Sequence, residues 1–254
     1  MTSAPGPAPG NPVRARSFDA AAQLYAAHRP GYPGELLDAV EELAGRPLRG
    51  SRVADVGAGT GIATALLHAR GADVLAVEPG DGMAAEFRRA HPDIPIVRGD
   101  GDRLPLADAV CDFLTYAQAW HWTDPDRSVP EARRVLRPGG ALALWWNDLD
   151  TTVPWIAEQD ARLAAFFGQT AAPDPHPVRS VPAELAFTTR RVRWSRRIPL
   201  EAHLSNHASH SAFLLLGAAG TREFMDAERD RLSRLFPDGT VEERYVVTVS
   251  VAVV

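Results

Sequence analysis

The chain has 254 residues, 45% hydrophobic and 23% charged, with a net charge of −5; this suits one large core with a subsidiary cap and gives no basic field to steer nucleic acid. All 27 basic residues are arginine, which excludes lysine Schiff-base chemistry, pyridoxal phosphate attachment and the lysine-dependent phosphate loop. The single cysteine, Cys111, excludes an intrachain disulfide, a four-cysteine zinc site and a cysteine-ligated iron–sulfur cluster, and its apolar surroundings mark it as a small core residue.

Residues 1–13 are Pro- and Gly-rich with no apolar signal region and read as a disordered tail. From Ser17 to His28 apolar residues recur at helical spacing, and a second helix runs from Pro33 to Ala44 with Leu36, Leu37, Val40 and Leu43 on one stripe. Short strands and helices then alternate. Strands are expected at Arg52–Val56, Asp73–Glu78, Ile94–Arg98, Val110–Tyr116 and Ala141–Trp146; helices are expected at Gly61–Arg70, Gly82–Ala90 and Ser128–Val135. The breaker Arg137-Pro138-Gly139-Gly140 precedes the fifth strand. Strands separated by helices imply βαβ units and a parallel sheet, and their near-continuous apolar runs imply helices on both faces. Beyond Asp150 come a helix over Trp155–Gly168, an irregular Pro-rich stretch over Thr170–Pro182, a strand over Thr188–Ile198, helices over Leu200–Ala219 and Arg222–Phe236, and a Val-rich strand over Val241–Val254. The fold class is therefore α/β: a Rossmann-like, seven-stranded, mostly parallel sheet with a helical cap. No stretch is long and apolar enough to cross a bilayer, so the chain reads as cytoplasmic.

The segment Val53-Ala54-Asp55-Val56-Gly57-Ala58-Gly59-Thr60-Gly61 is strand, glycine turn and helix start. Glycines there let the backbone bend tightly and approach a ligand, and the following helix offers unsatisfied N–H groups. Alone, this turn does not separate nicotinamide, flavin and methyl-donor enzymes. The dinucleotide spacing Gly-x-Gly-x-x-Gly is not met, since Gly57, Gly59 and Gly61 are followed by Ile62. Glu78, about 20 residues on, could bind ribose hydroxyls in either class.

Taken together, the motifs resemble the class I S-adenosylmethionine-dependent methyltransferases, particularly their small-molecule branch. Asp55, Gly57, Ala58, Gly59 and Gly61 match the family's first motif, Glu78-Pro79 the acid for the ribose, and Met83 the residue packing on the adenine. Gly99-Asp100-Gly101-Asp102-Arg103-Leu104-Pro105-Leu106 is similar to the segment whose carboxylate, here Asp100, accepts from the adenine amino group, with Gly101 and Asp102 beside it. Ala117-Gln118-Ala119-Trp120-His121-Trp122 matches the loop after the fourth strand, with Ala117 and Gln118 toward the donor. The opening Phe18-Asp19 through Tyr25, Arg29-Pro30-Gly31-Tyr32-Pro33 resembles a lid whose Tyr25 and Arg29 approach the methionine carboxylate. The resemblance implies one domain over residues 14–254, with lid helices over 14–45 and an acceptor-side cap over 150–240. It implies S-adenosyl-L-methionine as cofactor, a small-molecule methyl acceptor as partner, and methyl transfer to O, N or C. A chain that binds the cofactor but performs other chemistry, such as cyclisation, is the alternative.

On the acceptor side the resemblance points to Tyr32, Trp120, His121, Trp122 and Asn147. His121 is a candidate general base, an acceptor-orienting group or a loop hydrogen bond. The acids of Trp146-Asn147-Asp148-x-Asp150 could hold magnesium only with a matching acid after the fourth strand, which Tyr116-Ala117-Gln118 lacks, so no metal is expected. His203, His207 and His210 share a helix face, better read as pocket lining or half-exposed than as zinc ligands. Arg190–Arg197 alternates as a charged edge strand would, with Val192 and Trp194 inward. The loop after the fourth strand also lacks the Asn/Asp-Pro-Pro-aromatic stretch of amino-nucleobase enzymes. A nucleic-acid substrate is therefore not favoured, and a monomer and a homodimer both remain open.

Overall fold

The computed structural model describes residues 29–168, 181–208, 213, 216 and 218–254. The expected tail, the helix over residues 17–28 with Tyr25, most of the Pro-rich stretch and His210 lie outside them. The described elements run α1 (Gly34–Ala44), β1 (Arg52–Val56), α2 (Ile62–Ala69), β2 (Asp73–Glu78), α3 (Asp81–Ala90), β3 (Ile96–Arg98), β4 (Cys111–Ala117), a 3₁₀ turn (Trp120–Trp122), α4 (Pro125–Val135), β5 (Leu136–Leu149), α5 (Pro154–Gly168), β6 (Thr188–Pro199), α6 (Leu200–Ala208), α7 (Ala218–Leu235) and β7 (Thr240–Val253).

The seven strands form one sheet in the order β3-β2-β1-β4-β5-β7-β6. The first five are parallel, and β7 is antiparallel to both β5 and β6. This is the Rossmann-like, mostly parallel sheet expected. Residues of β1 and β4 are buried almost throughout because both faces are covered. On one face Leu36, Leu37, Val40 and Leu67 of α1 and α2 pack with Val53, Phe113, Trp145 and Val247. On the other, Val129, Ala132 and Val135 of α4 pack with Ala54, Leu114, Leu144 and Trp146. Cys111 is buried in that second layer, and burial, with Asp112 adding, pushes its thiol up to about 11.

Two departures from the sequence expectations have a local reason. Helix α4 begins at Pro125 rather than Ser128, because Asp124 accepts from the Asp126 N–H as N-cap and Pro125 fits the first helical position. The Arg137–Gly140 breaker does not interrupt β5. The strand passes through it with a register shift against β4 between Cys111 and Phe113, and the Gly139 N–H, at φ +76°, donates to the Val254 carbonyl at 2.6 Å. In the C-terminal third, helix is described over Leu200–Ala208 and Ala218–Leu235, and Phe213 and Leu216 between them are helical as well.

The lengths of β5 and β7 decide where a site can form. The last β4 partner of β5 is Ala117 against Trp145, whereas pairing with β7 continues to Leu149 against Tyr245. Trp146 to Leu149 therefore run past the tip of β4. The β6–β7 ladder continues further still, to Pro199 against Thr240, and the cap helices pack on that ribbon.

Candidate active site

The parallel strands bring the ends of β1, β2, β3 and β4 to one sheet edge, where ligands of open α/β sheets bind. The turn after β1 is held open by glycine. Gly57 has φ +68° and Gly61 +93°, and a Cβ on Gly57 would lie 2.5 Å from the Ala119 Cβ, one on Gly61 2.5 Å from the His91 ring. The first contact seats the β4 loop against the turn; the second lets α2 start against the end of α3. Nothing lies within 4 Å of the place a Cβ on Gly59 would occupy.

Glu78, at the tip of β2, is buried. Its Oε2 accepts from the Gly59 N–H at 2.8 Å and its Oε1 from the Gly80 N–H at 2.7 Å, so one carboxylate joins the turns after β1 and β2. Arg98 closes this corner from β3, donating to the carbonyls of Glu78 and Pro79 and pairing with Asp81. Asp100 is exposed, and its Oδ1 accepts from the N–H groups of Asp102 and Arg103 at 3.0 Å. Asp102 in turn accepts from the Asp124 N–H at 2.9 Å, which anchors the acidic loop to the start of α4. Burial holds the Asp102 carboxyl above its ordinary value. Gly101 is buried where a Cβ would meet Thr123 and Tyr116, and Met83 is buried in α3.

Asp55 corrects an expectation. Its backbone lies at the same edge, but the residue is 0% exposed. Its two oxygens accept from Thr64 Oγ1 at 2.6 Å and Thr115 Oγ1 at 2.8 Å. Burial pushes its pKa up to about 6 against the opposing pull of those hydroxyls. The carboxylate thus ties β1 to α2 and β4 behind the glycine turn instead of facing a ligand. Thr64, Thr115 and Arg98 support the site without standing out in the sequence, since each works only through tertiary pairing.

The edge of β4 carries the second half of the site. Gln118 adopts φ +55° after Ala117, and its amide donates to the Tyr32 hydroxyl at 3.5 Å. The Tyr32 ring meets Trp145 edge-on at 6.1 Å. Trp120 is buried against Tyr116, so of the three turn aromatics it is core. His121 and Trp122 are half-buried with ring centroids 4.7 Å apart, and His121 Nδ1 accepts from the Trp146 indole N–H at 3.3 Å. Asn147 is buried and committed on both sides of its amide, accepting from the Trp194 indole at 3.0 Å and donating to the Gly31 carbonyl at 3.5 Å. Asp150 is turned away, bonded to Thr152 and Arg193. Among the described residues no group of three His, Cys, Asp or Glu is placed to hold a metal ion.

The cap holds a polar network that the histidine spacing did not foretell. His203 is fully buried, not half-exposed. Its Nδ1 lies 2.6 Å from Glu243 Oε1 and its Nε2 lies 3.1 Å from Gln159 Oε1. The Gln159 amide donates to Glu228, so its oxygen must face Nε2, which must itself donate. Nδ1 faces a carboxylate, so both ring nitrogens are placed to donate. Burial raises the Glu243 carboxyl, but His203, Tyr245 and Arg196 outweigh it and hold it at about 2. His207, ring-on-ring with His203 at 4.6 Å, is pushed down to about 3 by burial and by the charges of His203 and Arg29, with Glu243 opposing. Half-buried Arg29 thus exerts its field on α6, which links the segment before α1 to the cap.

With this geometry in place, comparison with known proteins is informative. The methyltransferase-domain family model matches residues 54–144, the span from the glycine turn through most of β5. An uncharacterized methyltransferase of Mycobacterium tuberculosis is 37% identical over 221 residues, covering 85% of this chain and 86% of its own. A demethylmenaquinone methyltransferase of Beutenbergia cavernae is 34% identical over 168 residues, 65% of this chain and 67% of its own. A solved structure from Anaeromyxobacter dehalogenans, assigned as a type II methyltransferase, superposes with a TM-score of 0.69 at 26% identity, covering 89% of this chain and 97% of its own. A relative matched over most of both chains and a family model that begins at the glycine turn agree with the strand-edge geometry: the chain belongs to the S-adenosylmethionine-dependent methyltransferases and uses S-adenosylmethionine as its methyl donor.

Proposed function

We propose that this enzyme methylates O, N or C of a small organic acceptor, held between the β4 and β5 tips and the cap. The bound donor supplies a methyl group on a sulfonium, so positioning alone can provide much of the rate enhancement. The residues present suit it. The space over Gly59 is open, Thr60 Oγ1 is buried in the turn with no hydrogen-bond partner among the described residues, and the negative charge of Glu78 sits where ribose hydroxyls can share it. Glu78 and Pro79 would hold the ribose, Asp100, Gly101 and Asp102 the adenine, and Gly57, Ala58, Ala117 and Gln118 the methionine end, with Arg29 near its carboxylate.

The observation that carries the acceptor reading is the run of Trp146–Leu149 beyond the tip of β4. It forms one wall beside half-buried His121 and Trp122, and the segment before α1, through Tyr32, forms another. The cap over residues 150–240 would roof the space. A small acceptor suits it better than a nucleic acid, because three of the four exposed arginines of β6 are already paired: Arg190 with Glu42, Arg193 with Asp150 and Arg197 with Asp238. The demethylmenaquinone methyltransferase named above acts on a small molecule by its name, which supports the same class.

The test is to offer the purified protein methyl-labelled S-adenosylmethionine with a panel of small phenols, quinols, carboxylic acids and amines, and in parallel with DNA, RNA and protein. Label is expected in one small-molecule class. Label in macromolecules alone would sink the reading.

A further inference from the structure

We propose that Trp146 is a positioning residue that fixes His121 as the neutral imidazole with its proton on Nε2, so that His121 works as a hydrogen-bond donor and not as a general base. This rests on the acceptor-side placement of His121 given above.

The argument begins with the indole. Its N–H can only donate, and it points at His121 Nδ1 from 3.3 Å. That nitrogen must therefore keep its lone pair, and a neutral ring must carry hydrogen on Nε2. Trp146 is 4% exposed and anchored in β5 opposite Thr248 of β7, so it cannot swing aside without disturbing the strand. Its ring packs with Tyr116 and Trp120 in the same layer. Protonating Nδ1 would set two N–H groups against each other and leave the buried indole unsatisfied, at a cost comparable to losing its hydrogen bond. The tilted contact with Trp122 restrains the imidazole plane from the other side.

A ring held in this state has no basic nitrogen to turn toward an acceptor: Nδ1 is engaged and Nε2 already bears hydrogen. What His121 can offer is an N–H, which favours an acceptor carrying an anionic or strongly hydrogen-bond-accepting oxygen. The chemical class is therefore a carboxylate, an acidic phenol or an enol. An oxygen that arrives already ionised supplies the electron pair for the new O–CH3 bond, the S–CH3 bond breaks with its pair left on the donor sulfur as a neutral thioether, and no proton has to be handed to the enzyme.

The test combines spectroscopy with kinetics. Long-range ¹H–¹⁵N spectra of the ¹⁵N-labelled full chain near neutral pH, with His121 assigned through His121→Asn, are expected to show a protonated Nε2 and a pyridine-like Nδ1. In Trp146→Phe a mixture of both tautomers should appear. A wild-type ring with hydrogen on Nδ1, or on both nitrogens, overturns the proposal, and the wild-type spectrum decides this even if the variant fails to fold. With an acceptor from the panel, His121→Asn, whose amide still donates, should keep kcat within about tenfold of wild type, while His121→Ala loses more. Loss of equal size in both variants overturns the donor role. A spectrum as expected with full turnover in His121→Ala instead overturns the acceptor-side placement and leaves the tautomer assignment standing.

Discussion

The two ends of the sheet hold their acids by different means. At the donor edge, apart from Asp55 buried behind the glycine turn, the carboxylates named as holding the donor are satisfied by backbone N–H groups: Glu78 by Gly59 and Gly80, Asp100 by Asp102 and Arg103, Asp102 by Asp124. In the cap they are satisfied by side chains from distant segments: Glu243 by His203, Arg196 and Tyr245, and Glu228 by Gln159, Arg162 and Arg231. Backbone amides are neutral and present whatever the residue, so the donor-edge acids stay available to a ligand. The cap acids are neutralised in place and hold helices together. The contrast teaches that the first region is built to receive something and the second to stay shut.

The sharpest way to break this comparison is to remove a cap acid. Glu243 is 0% exposed, and Glu243→Ala would take from the His203 ring and Arg196 the carboxylate they share. Breaking one side of a buried charge pair costs about 3–5 kcal/mol. Urea unfolding should show a loss of that size, while Glu42→Ala, which breaks an exposed pair with Arg190, should cost no more than about 1 kcal/mol. Equal costs would mean that the cap network is not what holds the helices.

Protonation separates the regions by sign. Asp55 keeps its proton in the folded state up to about 6 against an ordinary value of 3.8. Its contribution is fully present below about pH 4 and is lost as pH rises through 6, a fall of roughly 3 kcal/mol. Glu243 does the reverse: held at about 2 against an ordinary 4.5, it stabilises above about pH 4.5 and its contribution is lost as pH falls toward 2. Unfolding midpoints measured across this range should decline from pH 4 to 6 in the wild type and lose that decline in Asp55→Asn. If Asp55→Asn keeps the decline, the buried acid behind the glycine turn is not its source.

The same contrast explains what could be read without coordinates. The donor edge was legible because its parts are local: a glycine turn after a strand, an acid at the next strand tip, an acidic loop after the third. Strand β1 and strand β2 were placed to the residue. What failed there was the direction of one side chain, since whether Asp55 points to the cleft or to Thr64 and Thr115 depends on residues up to 60 positions away. In the cap the elements were found but not their chemistry. The spacing of His203 and His207 shows a helix face and says nothing of Glu243, 40 residues on, which turns that face into a charged lock. The β5 breaker misled because Gly139 can take positive φ inside a bulge, a use of glycine that looks like a turn in one dimension.

A smaller effect tests the receiving side. Glu78→Ala removes the carboxylate that Gly59 and Gly80 share, and a hydrogen bond to a charged group is worth about 1.5–3 kcal/mol. Calorimetry should show S-adenosylmethionine binding weakened by at least about tenfold, with NAD binding in neither protein. Unchanged affinity would take Glu78 out of the ribose role and leave it as a brace between two turns.

The smallest effect falls where the donor edge meets the helix layer. Asp124 accepts from the Asp126 N–H at 3.1 Å as N-cap of α4, and its own N–H holds Asp102. Asp124→Ala removes the first bond and keeps the second, because only the side chain changes. Loss of an N-cap costs about 1 kcal/mol, so a modest drop in the unfolding midpoint is expected with donor affinity retained. If affinity falls as far as in Glu78→Ala, the acidic loop depends on the first turn of α4 for its shape, and the donor edge is less local than its hydrogen bonds make it.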